Sequence, residues 1–214
     1  MFQDRVDAGR RLAKRLAGRE YPHGLVVAIP RGGVVVGAEI AQALRLPLDI
    51  IIPRKIGAPY NPELAVGAVA QDGTAIFNEK LCKQFGITPE EKEDLIAGAV
   101  AEINRRMNLY RGQKPLASWH GREIILTDDG IATGFTVMAA LRSLRKAGPK
   151  EIILAVPVAP PDTLEALLPE VDEAVCLLVP EIFMAVGQFY YDFGQTTDDE
   201  VISLLNEFGA SSSD

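Results

Sequence analysis

The sequence predicts an α/β fold, a parallel sheet flanked by helices. Five short apolar runs carry that reading, at residues 25–29, 48–52, 124–126, 152–156 and 174–179. They are rich in Val, Ile and Leu, too short for helices and without polar alternation, as expected of strands buried on both faces. Helical patterns at 34–44, 135–146 and 162–168 lie between them. Such alternation builds βαβ units.

The elements follow in order. Residues 5–16 bring Val6, Leu12, Ala13 and Leu16 toward one helical face, with Arg and Lys opposite and Gly18 as a stop. The runs 25–29, 48–52, 152–156 and 174–179 end at Pro30, Pro53, Pro157 and Pro180. Residues 54–78 carry Gly57, Pro59, Pro62, Gly67 and Gly73 between short apolar pieces, which reads as a flexible loop or twisted hairpin insertion. Residues 89–112 read as one inserted helix. Pro89 suits its first turn, Glu90, Glu91, Glu93 and Asp94 its start, and Arg105, Arg106 and Arg111 its end. Thr197 and Glu200 form a capping box that opens a closing helix with Val201, Leu204, Leu205 and Phe208 on one face. Just before it, Phe183, Phe189, Tyr190, Tyr191 and Phe193 crowd together, either as local packing or as a stacking platform for a flat ring. The tail, 211–214, reads as disordered.

Composition narrows the function. A chain of 214 residues predicts a single domain over 1–214. A net charge of −7 argues against a nucleic-acid-wrapping protein, yet leaves room for a local basic site. No run approaches the roughly 18 apolar residues of a membrane span, and the charged start has no apolar signal core. Cys82 and Cys176 are far apart with no CxxC, so a reducing cytoplasm is the expected setting. With His23 and His120 as the sole histidines, a multi-histidine metal site is excluded. The GxSxG elbow of α/β-hydrolases is missing.

The most informative string is IILTDDGIATGFT at 124–136. An apolar strand runs into Asp128 and Asp129, then Gly130, then a turn with Thr133, Gly134 and Thr136 that opens a helix. Ligands of open α/β sheets bind at such carboxyl ends. Backbone N–H groups at a helix start hold anions, and the threonine hydroxyls add donors. Two carboxylates beside an anion site suit a ligand that also carries a diol or a divalent cation. A second glycine turn, Pro30-Arg31-Gly32-Gly33, follows the first strand. It is not a nucleotide triphosphate P-loop, because Ala38 and Glu39 follow Gly37 where Lys and Ser/Thr are required.

These two turns resemble the phosphoribosyl pyrophosphate (PRPP) signature and the pyrophosphate loop of type I phosphoribosyltransferases. The similarity extends in order over roughly residues 20–195. It implies that fold, with the 54–78 insertion as a lid and 180–208 as a hood and closing helix. Asp128 and Asp129 would bind the ribose hydroxyls, directly or through Mg²⁺, and stand with Lys55 as the catalytic candidates. Gly130, Ile131, Ala132, Thr133, Gly134, Phe135 and Thr136 would cradle the 5′-phosphate. Arg31, Gly32 and Arg54 would meet the pyrophosphate, with a non-proline cis peptide in the Arg31 loop. Phe189, Tyr190 and Tyr191 would stack on the base. The implied partners are PRPP and a small-molecule acceptor, with a homodimer possible and neither nucleic acid nor membrane involved. One departure stands out: purine-salvage members place an aspartate where this chain has Ala132. The acceptor therefore stays open. So do a PRPP-binding regulator without turnover and a phosphohydrolase using the acidic pair.

Overall fold

A computed structural model describes residues 1–58, 61–112 and 117–209, with the side chains of 62 and 63 excepted. Pro59, the Pro62 side chain and the tail 211–214 lie outside the described residues.

In chain order the strands are β1 (Gly24–Ala28), β2 (Leu48–Ile50), β3 (Arg54–Ala58), β4 (Asn61–Val69), β5 (Ala75–Phe77), β6 (Glu123–Thr127), β7 (Glu151–Val158) and β8 (Glu173–Leu178). The helices are α1 (Arg5–Leu16), α2 (Gly32–Leu44), α3 (Glu79–Phe85), α4 (Pro89–Arg111), α5 (Phe135–Lys146), α6 (Pro161–Leu167) and α7 (Asp198–Phe208). A five-stranded parallel sheet runs β2-β1-β6-β7-β8. Its residues alternate between two apolar layers. Val26, Ala28, Ile125 and Ile153 pack with Leu12 of α1, Val36 of α2 and Val201 of α7. Leu25, Val27, Ile124, Leu126 and Leu154 pack with Val137, Leu141 and Leu144 of α5. Each Val, Leu or Ile among them contributes about 1.5–3 kcal/mol when fully buried.

Strand β1 pairs with β2 on one side and β6 on the other. The chain therefore leaves β1 in one direction and later returns on its far flank. That reversal opens a crevice beyond the carboxyl ends of β1 and β6, where the two glycine turns sit.

Three expectations need correction. Of the loop and hairpin readings of the insertion, the structure takes the hairpin, β3–β4, and extends it with β5 into a three-stranded antiparallel sheet. Ile56, Ala58, Val66, Ala68 and Val69 are buried, so the insertion has an apolar face to cover. Its Gly67 is no breaker: a Cβ there would lie 2.3 Å from the Ile76 carbonyl oxygen, so glycine lets β5 approach. Helix α3, unforeseen, is capped by Asn78 and ended by Gly86 at φ 66. Strand β7 continues through Pro157, because β6 ends opposite Ala155 and only β8 pairs beyond it. By contrast α4 begins as expected, with a Thr88–Glu91 capping box and Pro89 in its first turn. The Thr197–Glu200 box likewise opens α7.

The hood is stitched to the amino-terminal segment. Phe2 N–H donates to the Phe189 carbonyl (2.8 Å), Tyr191 N–H to Phe2 (2.9 Å), and Asp192 N–H to Gln3 (2.8 Å). No helix among the described residues is long and apolar enough to cross a membrane.

Candidate functional site

The turns after β1 and β6 meet face to face. The Pro30–Arg31 peptide is cis. Gly32 and Gly33 then open α2 directly against the acidic pair. A Cβ on Gly32 would lie 1.9 Å from Asp129 Oδ2, and one on Gly33 would lie 2.8 Å from the Asp128 Cα. Only glycine permits this approach. The paired glycines and paired aspartates, remote in sequence, are two halves of one contact.

A cleft of about 430 Å³ opens there, lined by Arg5, Arg31, Gly32, Asp128, Asp129 and the stretch 193–196. Asp128 Oδ1 accepts from the Asp129 N–H at 2.8 Å. Arg5 Nε donates to Asp129 Oδ2, also at 2.8 Å. Burial, and then the charge of Asp129, hold the Asp128 carboxyl well above its usual range. Burial also raises Asp129, with the Arg5 guanidinium pulling the other way. One close cation against two carboxylates leaves the pair electron-rich, which suits hydroxyl donors or a divalent cation. Among the described residues, no cluster of three or more His, Cys, Asp or Glu forms a closed metal site. Mg²⁺ fits this donor set with ligand oxygens completing its shell, its common mode of binding.

The second turn starts α5. Gly134 is the N-cap at φ 76, and no side chain caps the helix, so first-turn N–H groups remain for an anion. A Cβ on Gly134 would lie 2.7 Å from Thr163 Cγ2 of α6. The Thr163 hydroxyl donates to the Ala132 carbonyl at 2.8 Å, and Ile131 N–H donates to Val158 at 2.8 Å, so the turn is held from behind. Thr133, Gly134 and Phe135 also border a neighbouring hollow of about 330 Å³ with Ile76 and Phe77. Ala132 and Thr133 are exposed, while Thr136 is half-buried. Gly130 sits under the hood, where a Cβ would lie 2.5 Å from Val186 Cγ1.

The other expected residues are dispersed. Arg31 reaches Asp198 at 3.8 Å on the cleft rim. Arg54 and Lys55 line a separate hollow with Asp94, Leu95 and Gly98 of α4, and Arg54 stands 3.7 Å from Glu102. Tyr190 is buried between Phe2 and Phe193, at centroid distances of 5.2 and 4.9 Å. Its hydroxyl donates to the Asp129 carbonyl at 2.6 Å, which makes it a brace for the acidic pair rather than an open stacking face. Phe189 packs on Phe183 at 5.4 Å, and Tyr191 is 70% exposed. Of the cleft's lining, Phe193 belongs to the aromatic cluster noted in the sequence, while Arg5 and residues 194–196 escaped that reading. Arg5 meets Asp129 across 124 positions, a pairing no local pattern announces.

A switch-point crevice with an uncapped helix start, an acidic pair and a glycine turn defines an α/β domain of the open, mostly parallel kind, with its candidate site at the carboxyl ends of β1 and β6. The family model of the phosphoribosyl transferase domain matches residues 2–193, and the chain belongs to that family. Proteins of two Mycobacterium tuberculosis strains, CDC 1551 / Oshkosh and H37Rv, which are named as phosphoribosyl transferases, are 40% identical over 206 residues. That match takes in 96% of this chain but 46% of theirs, so the chain spans about half their length. The crystal structure of TT1426 from Thermus thermophilus is 39% identical, with a TM-score of 0.83 over 98% of this chain and 99% of that one.

Proposed function

We propose that the protein transfers the 5-phosphoribosyl group of PRPP to a small-molecule acceptor, a nucleobase or a related ring, and releases pyrophosphate. The observation that carries the reading is the close packing of Gly32 and Gly33 against Asp128 and Asp129 across the switch point. It sets a diol-accepting pair beside a backbone turn suited to pyrophosphate. Asp128 and Asp129 accept from the ribose 2′- and 3′-hydroxyls. The start of α5, from Gly130 to Thr136, takes the 5′-phosphate on its free N–H groups. Arg31 and the Gly32 turn hold the pyrophosphate. Mg²⁺, held by the acidic pair, would supply positive charge to the leaving group. The acceptor nitrogen forms the new bond at C1′ while the C1′–O bond breaks and its electron pair departs on pyrophosphate. Arg54 and Lys55 stand in the separate hollow against α4, outside this cleft, and are given no part in the reaction. The reaction suits a cytoplasmic protein with no nucleic-acid partner, and it is compatible with a homodimer.

The test is pyrophosphate release from PRPP and Mg²⁺ with a panel of acceptors. One acceptor should support turnover, and Asp129→Ala should lower it at least about 100-fold, the scale for losing one well-placed polar group in such a site. PRPP binding without pyrophosphate release for any acceptor would replace transfer with a PRPP-sensing role.

A further inference from the structure

At the opposite end of the parallel sheet from the acidic cleft lies a larger hollow, of about 1040 Å³. The tail of α2 and the turn after it, 44–47, form one wall. The segments that lead into β1 and β6, 19–24 and 120–122, form the others. Ligands of open α/β sheets normally sit at the carboxyl ends of the strands, and the transferase reading makes no use of these amino ends. Helix α2 has 13 residues, so about 20 Å separates its tail from the Gly32 turn.

The charge of this hollow runs against that of the chain. The net charge is −7, yet Arg45, Arg122 and both histidines of the sequence, His23 and His120, line it. Glu20 is the one carboxylate in the lining. Among the described residues, every arginine except Arg15, Arg45 and Arg122 pairs with a carboxylate. Two of the three exceptions thus share one hollow, in a chain where 29 acidic residues outnumber 22 basic ones and partners are not scarce. Arg19, also in the wall, is taken by Glu151 and Glu173. The backbone of Arg45 points the same way. It caps α2 at φ 56, in left-handed conformation, where glycine is the favoured residue. A long cationic side chain is kept there against that preference. Leu44, Leu46 and Pro47 are half-buried around it, so the wall also offers apolar surface. Guanidinium forks match phosphate oxygens, and each imidazole adds an N–H donor.

We propose that this hollow is a second binding site, separate from the acidic cleft, which takes the phosphate groups of a small phosphorylated molecule on Arg45, Arg122 and the two imidazoles.

Because both histidines line the hollow, their imidazole C–H resonances report on it by NMR without interference from the acidic cleft. The probes are inorganic tripolyphosphate and ATP, with sulfate as a simple anion for comparison. Tripolyphosphate and ATP should shift the resonances saturably and bind at least about tenfold more tightly than sulfate, since they engage more than one charge-assisted bond. Arg45→Gly and Arg122→Gln should each weaken that binding by about tenfold or more, the scale of one hydrogen bond to a charged group. Arg15→Gln removes the unpaired arginine that lies outside the hollow and should leave it unchanged. Thermal unfolding of Arg45→Gly should be no lower than that of wild type, because glycine suits φ 56, so its weaker binding is not a folding defect. Equal affinity for the two probes assigns the site to phosphate alone, and tighter ATP binding adds the apolar wall to it. Resonances that neither probe moves, sulfate binding as tight as tripolyphosphate, wild-type affinity in Arg45→Gly, or equal weakening in Arg15→Gln overturns the proposal. So does a response to an RNA oligonucleotide alone. The measurement uses neither PRPP nor turnover, so its outcome is independent of the transferase reading.

Discussion

Alanine at position 33 isolates the contact on which the site is built. The added Cβ would stand 2.8 Å from the Asp128 Cα, 3.0 Å from its Oδ1 and 3.2 Å from the Thr127 carbonyl oxygen. Carbon atoms pack at about 3.5–4.0 Å, so α2 and the end of β6 must separate by roughly 1 Å. Such overpacking costs about 1–3 kcal/mol. Position 33 lies inside α2, so alanine also returns up to about 1 kcal/mol of helix propensity. The net is a loss of up to about 2 kcal/mol, or up to about 8 °C in Tm for a chain of this size. The functional loss should be larger. A 1 Å displacement of positioned groups costs on the order of 100-fold, and the acidic pair moves away from the Gly32 turn. Differential scanning fluorimetry and calorimetric titration with PRPP and Mg²⁺ read the two effects separately. Gly98→Ala is the control. It lies within α4 with no atom within 4 Å of its added Cβ, so helix propensity should raise stability by about 1 kcal/mol. Wild-type PRPP affinity in Gly33→Ala would refute the argument that backbone approach sets the site.

Other outcomes follow from the same geometry. Tyr190→Phe removes the donor to the Asp129 carbonyl and should cost about 1 kcal/mol in urea unfolding; an unchanged midpoint would remove Tyr190 as a brace. Asp128 has a folded pKa raised by burial and by Asp129, so the folded state holds its proton more tightly than the unfolded chain does. Stability from this group is complete below the unfolded value of about 3.9 and is lost as pH rises toward the folded value. Asp128→Asn keeps the oxygen that accepts from the Asp129 N–H and cannot ionise. In metal-free buffer it should be about 1 kcal/mol more stable than wild type at about pH 8, less so at about pH 4, while binding PRPP poorly; equal pH dependence of the two proteins would contradict this. Gly134→Ala forces a side chain to φ 76 and against Thr163, so inhibition by inorganic phosphate should weaken along with PRPP binding, and intact phosphate competition would count against the α5 start as the phosphate site.

Much of the fold is written locally. Short β-branched runs between breakers marked the five parallel strands, and 135–146 marked α5 to the residue. The acidic pair and its turn were equally legible, because strand, carboxylates and helix start are contiguous. The insertion was not. Gly57 and Gly67 look like breakers in a linear reading, yet Gly57 sits at a register shift between β3 and β4, and Gly67 admits β5. The seven residues of α3 gave too short a period to detect, although Asn78 and Gly86 bracket them. Arg5 and Tyr190 were hidden for another reason. Their roles come from partners 124 and 61 positions away, and a side chain's destination across the fold has no local periodicity.

The stitch between Phe2 and the hood sets an order of events during synthesis. Helix α1 and the acidic pair leave the ribosome long before Phe189, Tyr190 and Gly194 exist to receive them. Until then Arg5 has no Gly194 carbonyl to meet, and the cleft lacks its 193–196 wall. A nascent chain can bring the Gly32 turn and the acidic pair together early, but the pair then still lacks its Tyr190 brace. The cleft gains its 193–196 wall only once the last strand and the hood have emerged, so the complete site should be acquired at the longest chain lengths.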